Sequence, residues 1–259
     1  MGEAVVQVQV QWRLAAGGSE AVGLPAGAGG AVAVDVPLNA AAPAPASAPA
    51  STPAPAPGGP GFASSTPCRL VANSEDDAGA GLQRIAVIGI QGQPDRDAAR
   101  VAIRVAILAE LATLSGLPPE RIVLHAESGL APWALLDAPE GRRHAWLAIS
   151  HDGALSLAAI SLHGAVGIDV TRVDDIPDWE PVARDYLGPE SAAALGLLPP
   201  PARAAAFARA WSEREARLKC LGWPLDEWNA EAEPMLQACR CAALALPEGY
   251  VGALALPPP

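Results

Sequence analysis

The chain has 259 residues, enough for one large domain or two small lobes with a sizeable core. Its formal net charge of −11 argues against nucleic acid or an anionic membrane surface as a partner. No apolar run reaches the length of a membrane span and no signal peptide is evident. Cys68, Cys220, Cys239 and Cys241 form neither a CxxC pair nor a zinc spacing, so reduced thiols and a cytoplasmic location are expected.

Residues 1–36 open with Ala4-Val-Val-Gln-Val-Gln-Val-Gln-Trp12, whose alternation predicts a strand, followed by a Gly/Ala-rich stretch. Residues 37–83 are read as a linker: Pro37 to Pro67 is mostly Ala, Pro and Ser with no periodicity, too little apolar surface to offset ordering entropy. Arg84-Ile-Ala-Val-Ile-Gly-Ile-Gln91 predicts an apolar strand. Pro94-Asp-Arg-Asp97 then opens a helix running to about Ser115-Gly116, with Pro near its first turn and acids at the positive end of the dipole. Val101, Val105, Leu108 and Leu111 are its expected buried stripe. Arg96, Arg100 and Arg104, four apart, form a basic stripe that by itself reads as a solvated face. Arg121-Ile-Val-Leu-His125 predicts a short strand.

Trp146 to Ser150 and Ala154 to Ser161 predict a hairpin across His151-Asp-Gly153. Leu162-His163-Gly164 turns into the apolar run Ala165-Val-Gly-Ile-Asp169-Val170, which ends in an acid. Asp174 and Asp175 read as loop acids, and residues 178–197 as two short helices broken at Gly188-Pro189. The stretch from Phe207 to Gly222 reads as one amphipathic helix, with Pro200 and Pro201 just before it and Gly222 at a left-handed cap position. Trp211, Glu215 and Lys219 stack on one of its faces. The tryptophan draws the carboxylate and ammonium toward a partly buried seam; without other support the pair reads as a surface ion pair. A loop over Trp223–Trp228 follows, then strands over residues 236–246 and 249–256 joined by Pro247-Glu248. Strands, a long helix and strands thus occur twice, predicting an α/β (α+β) fold of two lobes, 84–163 with the N-terminal strand and 164–256.

Three segments in this order, Trp146-Leu-Ala-Ile-Ser-His-Asp-Gly153, Val166-Gly-Ile-Asp169 and Trp211-Ser-Glu-Arg-Glu215-Ala-Arg-Leu-Lys219, resemble the 4'-phosphopantetheinyl transferase superfamily, in particular its two-lobed monomeric, surfactin-synthetase-activating type. The resemblance covers roughly residues 84–256. It implies two pseudo-twofold-related lobes, each a small sheet packed on a long helix, with coenzyme A between them. It further implies Mg²⁺-dependent transfer of phosphopantetheine from coenzyme A to a serine of an acyl or peptidyl carrier protein or a synthase carrier domain. The C-terminal lobe would be catalytic. On matched positions, Glu215, Lys219 and Asp169 would be catalytic, and Ser150, His151, Arg100, Arg104 and Lys219 would hold coenzyme A. Asp169, Glu215 and Thr171 would hold the metal.

The chain departs from the family pattern at several places. The N-terminal Arg-bearing helix has no equivalent. The family's Gly-Lys-Pro is Gly129-Leu-Ala-Pro132, so a phosphate-contacting lysine is lost, with Arg142 and Arg143 as possible substitutes. A hydrogen bond to a charged group contributes about 1.5–3 kcal/mol, so this loss should weaken cofactor binding about 10- to 100-fold unless replaced. Ala148 replaces an asparagine, Thr171 a second metal-site acid, and Arg214 a lysine. These departures motivate an alternative, a degenerate homologue that binds a carrier protein or synthase without transferring anything.

Overall fold

The computed structural model describes residues 6–14, 32–35, 83–93, 95–127 and 130–258. The Pro/Ala-rich stretch expected as a linker lies outside these residues. Among the described residues ten strands form two sheets. The first contains β1 (Val6–Leu14), β2 (Val32–Asp35), β3 (Gln83–Gln91), β4 (Ile122–His125), β5 (Trp133–Ala138), β6 (Gly141–Asp152) and β7 (Leu155–Ser161). Their spatial order is β2-β1-β3-β7-β6-β5-β4, with only β1 and β3 parallel. The second sheet contains β8 (Gly167–Arg172), β9 (Arg240–Ala243) and β10 (Tyr250–Leu256), in the antiparallel order β8-β10-β9.

A long helix covers the outer face of each sheet. Helix α1 (Arg96–Ser115) starts at Asp95, whose carboxylate accepts from the Ala98 amide at 2.8 Å, and stops at Gly116 in the left-handed conformation. It packs Ile103, Ala106, Ile107 and Leu111 against Ala86, Ile88, Ile90, Leu136, Leu147 and Ile160 of the first sheet. The alternate strand residues Ile85, Val87, Ala148, Leu155, Leu157 and Ala159 point the other way. They meet Val166, Ile168, Val170, Leu254 and Leu256 of the second sheet. The layers are therefore α1, first sheet, second sheet and α4 (Pro200–Leu221). Each large aliphatic side chain enclosed there contributes roughly 1.5–3 kcal/mol.

Helix α4 packs closely on the second sheet. Ala216 and Cys220 of α4 lie on Ala253 and Ala255 of β10, so only small side chains separate helix from sheet. Opposite them Gly167 begins β8. A β-carbon there would overlap the Ala216 carbonyl oxygen and lie 2.6 Å from the Cys220 amide nitrogen. The helix thus rests directly on the strand's backbone. Its N-terminal half is held by α2 (Trp179–Val182), a π-turn over Ala183–Leu187 and α3 (Pro189–Gly196), which pack Ala183, Leu187, Ala192 and Leu195 around Phe207.

Several sequence expectations need correction. The buried stripe of α1 runs through Ile103, Ile107 and Leu111; Val101 and Val105 are each 62% exposed. Both sets have helical spacing, and the rotation of α1 on the sheet selects one. Strand β5 has no counterpart among the expected elements; its Trp-Ala-Leu-Leu-Asp-Ala composition favours helix locally, and pairing with β4 and β6 overrides that preference. It draws β6 back to Gly141, and β6 continues through His151 and Asp152 to a two-residue turn at Gly153-Ala154. Gly153 adopts φ 54°, the left-handed region a tight hairpin needs at that position. Pro200 and Pro201 lie within the first turn of α4, where a missing amide costs nothing. The C-terminal strand expected from residue 236 begins at Arg240, because Glu233–Ala238 forms a short helix, α5.

Candidate functional site

The site is built where the end of β6 crosses β8 beneath α4. Gly167, Asp169 and Thr171 alternate with the core residues Ile168 and Val170 along β8, so Asp169 faces α4. Its carboxylate is 3% exposed and fully engaged. Oδ1 accepts from Lys219 Nζ at 2.6 Å and from the Ser150 hydroxyl at 2.7 Å; Oδ2 accepts from the Thr171 hydroxyl at 3.1 Å. Ser150 Oγ in turn accepts from the Val170 amide at 3.3 Å and from Lys219 at 3.2 Å. Lys219 Nζ also pairs with Glu215 Oε2 at 3.3 Å, one helical turn back.

Glu215 is held from its other side. The Trp211 indole Nε1–H donates to Oε1 at 2.9 Å. That indole is fixed by Phe207, stacked at 5.9 Å between centroids, and Tyr186, edge-on at 5.6 Å. Burial is the largest influence on Glu215 and raises its pKa above 4.5, with the Asp169 carboxylate adding to the rise. Lys219 and the Trp211 hydrogen bond oppose that rise. Burial thus favours proton uptake by this carboxylate, and the neighbouring ammonium opposes it.

His151 follows Ser150 but points to the opposite face of β6, toward α1. Its Nδ1 shares a 2.7 Å hydrogen bond with Ser156 Oγ on β7. Burial, then the charges of Arg96, Arg100 and Lys219, lower its pKa from the usual 6.5, which favours the neutral ring. An anion placed beside it would reverse that bias. His151 lines a cavity of about 200 Å³ with Arg100, Arg104, Ile149, Leu130 and Pro132. On its other side it lines a groove of about 490 Å³ with Arg96, Ser156 and the Gly153-Ala154 turn. These arginines bring cations to the two hollows, where Glu127 lines the first and Asp97 lies 3.1 Å from Arg100.

The structure thus brings Ser150, Asp169, Thr171, Glu215 and Lys219 into one hydrogen-bonded cluster. It sets His151, Arg100 and Arg104 together in a cavity on the opposite face of β6. Arg142 and Arg143 do not reach this region. They lie at the opposite end of β6, about 30 Å along the strand from His151 at ~3.3 Å per residue, and Arg142 is 4.0 Å from Asp137. The expectation that they replace the missing lysine is therefore corrected: Leu130 lies in the cavity wall, and its cations come from α1. Sequence reading also passed over Asp152 and Tyr250. Asp152 accepts from the Arg172 amide at 2.6 Å, and the Tyr250 hydroxyl accepts from the Ala154 amide at 3.3 Å. Both tie the turn after His151 to the second sheet, a pairing no local pattern announces.

The donor set suits a hard cation. Among the described residues no three His, Cys, Asp or Glu side chains converge on a metal position. Two carboxylates do converge, and the ammonium of Lys219 is bonded to both, marking the gap between them as a place that attracts positive charge. Two carboxylates, completed by substrate phosphates and waters, match the way Mg²⁺ is usually held. Among the described residues, Cys220 and Cys241 offer no thiolate. Cys220, Cys239 and Cys241 are free, and burial pushes Cys220 up to about 12 and Cys241 to about 11, so these two stay protonated.

Comparison with a family model falls on the half of the chain that carries the cluster. Residues 165–238 match the sequence model of the 4'-phosphopantetheinyl transferase superfamily, a span that contains Asp169, Thr171, Glu215 and Lys219. The chain is also similar to a protein of Synechocystis sp. named "Putative 4'-phosphopantetheinyl transferase", at 28% identity over 81 residues. That alignment spans 31% of this chain and 33% of the relative, so it covers about a third of each.

Proposed function

We propose that this protein transfers the 4'-phosphopantetheine group of coenzyme A to a serine of an acyl or peptidyl carrier protein. We also propose that it acts as a monomer of the two-lobed, pseudo-twofold type. The observation that carries this reading is the closed cluster of Asp169, Glu215, Lys219 and Ser150 at the end of β6, whose opposite face carries a cavity lined by His151, Arg100 and Arg104. Phosphoryl-type transfer asks little covalent help from a protein. It needs anionic oxygens held, aligned and neutralised, and one proton removed.

The residues divide that work. Arg100 and Arg104 suit phosphate because a guanidinium donates two bonds in one plane. His151, neutral when the cavity is empty, can donate through its free ring nitrogen or become charged against a phosphate. Asp169 and Glu215 would hold Mg²⁺, which when bound supplies charge neutralisation at the pyrophosphate. Thr171 fixes the far oxygen of Asp169, so its near oxygen keeps one direction. Glu215 takes the proton from the carrier serine as that oxygen bonds to the β-phosphorus. The bond from this phosphorus to the oxygen bridging the two phosphates breaks, and adenosine 3',5'-bisphosphate departs. Lys219 neutralises or protonates the departing oxygen.

The test is mass spectrometry of apo carrier proteins incubated with the chain, coenzyme A and Mg²⁺. A gain of one phosphopantetheine on serine is expected. No gain on any fatty-acid, polyketide or peptidyl carrier would sink the reading in favour of a binding-only homologue.

Two kinetic results follow from the site. His151→Ala raises the KM for coenzyme A about 10- to 100-fold, the equivalent of one hydrogen bond to a charged group. Steady-state kinetics with a saturating carrier checks this, and an unchanged KM removes His151 from the cofactor site. Trp211→Phe moves the acid limb of the kcat/KM profile to higher pH. Glu215 works deprotonated, its pKa already lies above 4.5, and the indole hydrogen bond favours the charged form. Losing that bond raises the pKa further, so activity falls away sooner as pH drops. A limb that stays in place would show that Glu215 does not govern the profile.

A further inference from the structure

Lys219 makes three polar contacts, and an ammonium has three protons to give. They go to Asp169 Oδ1 at 2.6 Å, Ser150 Oγ at 3.2 Å and Glu215 Oε2 at 3.3 Å. Each of the four carboxylate oxygens likewise accepts at least one donor. Asp169 receives Lys219, Ser150 and Thr171; Glu215 receives Lys219 and Trp211. The cluster is closed, and its net charge is −1.

We infer that Lys219 is an internal cation that occupies the gap between the two carboxylates until a phosphoanion draws it out, so that a divalent cation and a phosphate-bearing ligand bind as a unit. The inference rests on the transferase reading for the identity of the ligand, but its core concerns this chain's own residues. A cation entering between Asp169 and Glu215 competes with an ammonium already bonded to both. Once displaced, the ammonium loses two buried acceptors and needs an anion in exchange. Water is a poor substitute, because the pair lies in a largely enclosed seam. A phosphate oxygen meets that need, and His151, which lines the cavity with Arg100 and Arg104, follows Ser150 in the chain and feels the charge of Lys219. Lys219 can make the move: its side chain is 29% exposed, against 4% for Asp169, so the lysine swings while the aspartate stays. Binding of either ligand therefore removes a cost that the other would otherwise bear, which is positive coupling.

The test is titration of the full chain with Mn²⁺, free ion being read by electron paramagnetic resonance. Without coenzyme A, Lys219→Met is expected to bind Mn²⁺ at least about tenfold tighter than the native chain, within the usual 5- to 150-fold range of such couplings. Lys219→Met combined with Asp169→Asn loses that gain, which locates the ion. Equal affinity in the native chain and Lys219→Met, or no Mn²⁺ bound by a folded Lys219→Met, overturns the inference. The native chain provides a second reading that needs no variant. Saturating coenzyme A tightens its Mn²⁺ site at least about tenfold after correction for Mn²⁺ held by free coenzyme A, again the coupling scale. An unchanged affinity refutes the coupling even if the methionine variant does not fold. Failure of the transferase reading shows separately, as absence of mass gain on carriers while the Mn²⁺ difference without coenzyme A persists.

Discussion

Glu215→Gln lowers the rate of phosphopantetheine transfer roughly 10²- to 10⁴-fold, the usual worth of a positioned general base. The substitution is nearly isosteric. The amide oxygen still accepts from the Trp211 indole, now 2.9 Å from Oε1, so the Phe207–Trp211–Tyr186 packing is kept. Two things are lost: a group able to take the serine proton, and one of the negative charges facing Lys219. Single-turnover mass spectrometry with saturating coenzyme A and carrier separates this from weaker binding. A rate within threefold of native would remove Glu215 from the proton-transfer role and leave it as a positioning group for Lys219.

Gly167→Val is the substitution expected to cost most stability. The new β-carbon would overlap the Ala216 carbonyl oxygen, a backbone atom of α4, which no rotamer change can move aside. Helix and strand must separate along the seam where Ala216 and Cys220 meet Ala253 and Ala255. Overpacking a close-packed seam costs about 1–3 kcal/mol when side chains can adjust, and a backbone clash lies at or above the top of that range. For a chain of this size the melting temperature should fall by about 6–12 °C, at ~2–4 °C per kcal/mol. Separation would also stretch the 2.6 Å bond between Lys219 and Asp169, because both residues lie within three positions of the clash. Thermal unfolding followed by circular dichroism measures the first effect, and Mn²⁺ affinity at the site the second. A valine variant with native melting temperature would mean that α4 is not seated on β8 as described.

Both results concern one structural economy. The second sheet carries small residues where it touches α4, so helix and sheet approach closely enough for side chains two or three residues away to share hydrogen bonds. Asp169 gains its partners at the cost of solvation, and each partner is supplied by a different element: Ser150 from β6, Thr171 from β8 itself, Lys219 from α4. Removing any one leaves a buried acceptor short of a donor. The cluster therefore acts both as a chemical site and as a clamp between the two sheets and the helix.

Much of this was legible in the sequence where the reason was local. The strand patterns at 84–91 and 165–170, the capped helix after Asp95 and the helix ending at Gly222 all appear within a residue or a few of where they were expected. Local reading failed where two solutions had equal local merit. In α1, Val101 and Val105 have the same spacing as Ile103 and Ile107, and only docking on the first sheet decides between them. In β5, helix-forming alanines and leucines are overridden by pairing with β4 and β6. Leu236, expected in a strand, ends up in α5, whose one buried side chain it supplies.

The sequence by itself determined that Trp211, Glu215 and Lys219 share a face, because a helix of 3.6 residues per turn stacks positions four apart whatever surrounds it. The expected hairpin placed His151 in its turn; only the extension of β6 through His151 sets Ser150 and His151 on opposite sides of the strand. Only the tertiary structure decided what those faces meet. Lys219 reaches Asp169 across 50 residues of chain and Ser150 across 69, and nothing in either neighbourhood encodes the other. That meeting depends on a glycine and three alanines letting α4 rest on the second sheet, and on two sheets burying their facing apolar sides together. Close packing is a property of pairs of surfaces, so it becomes visible only once both are in place.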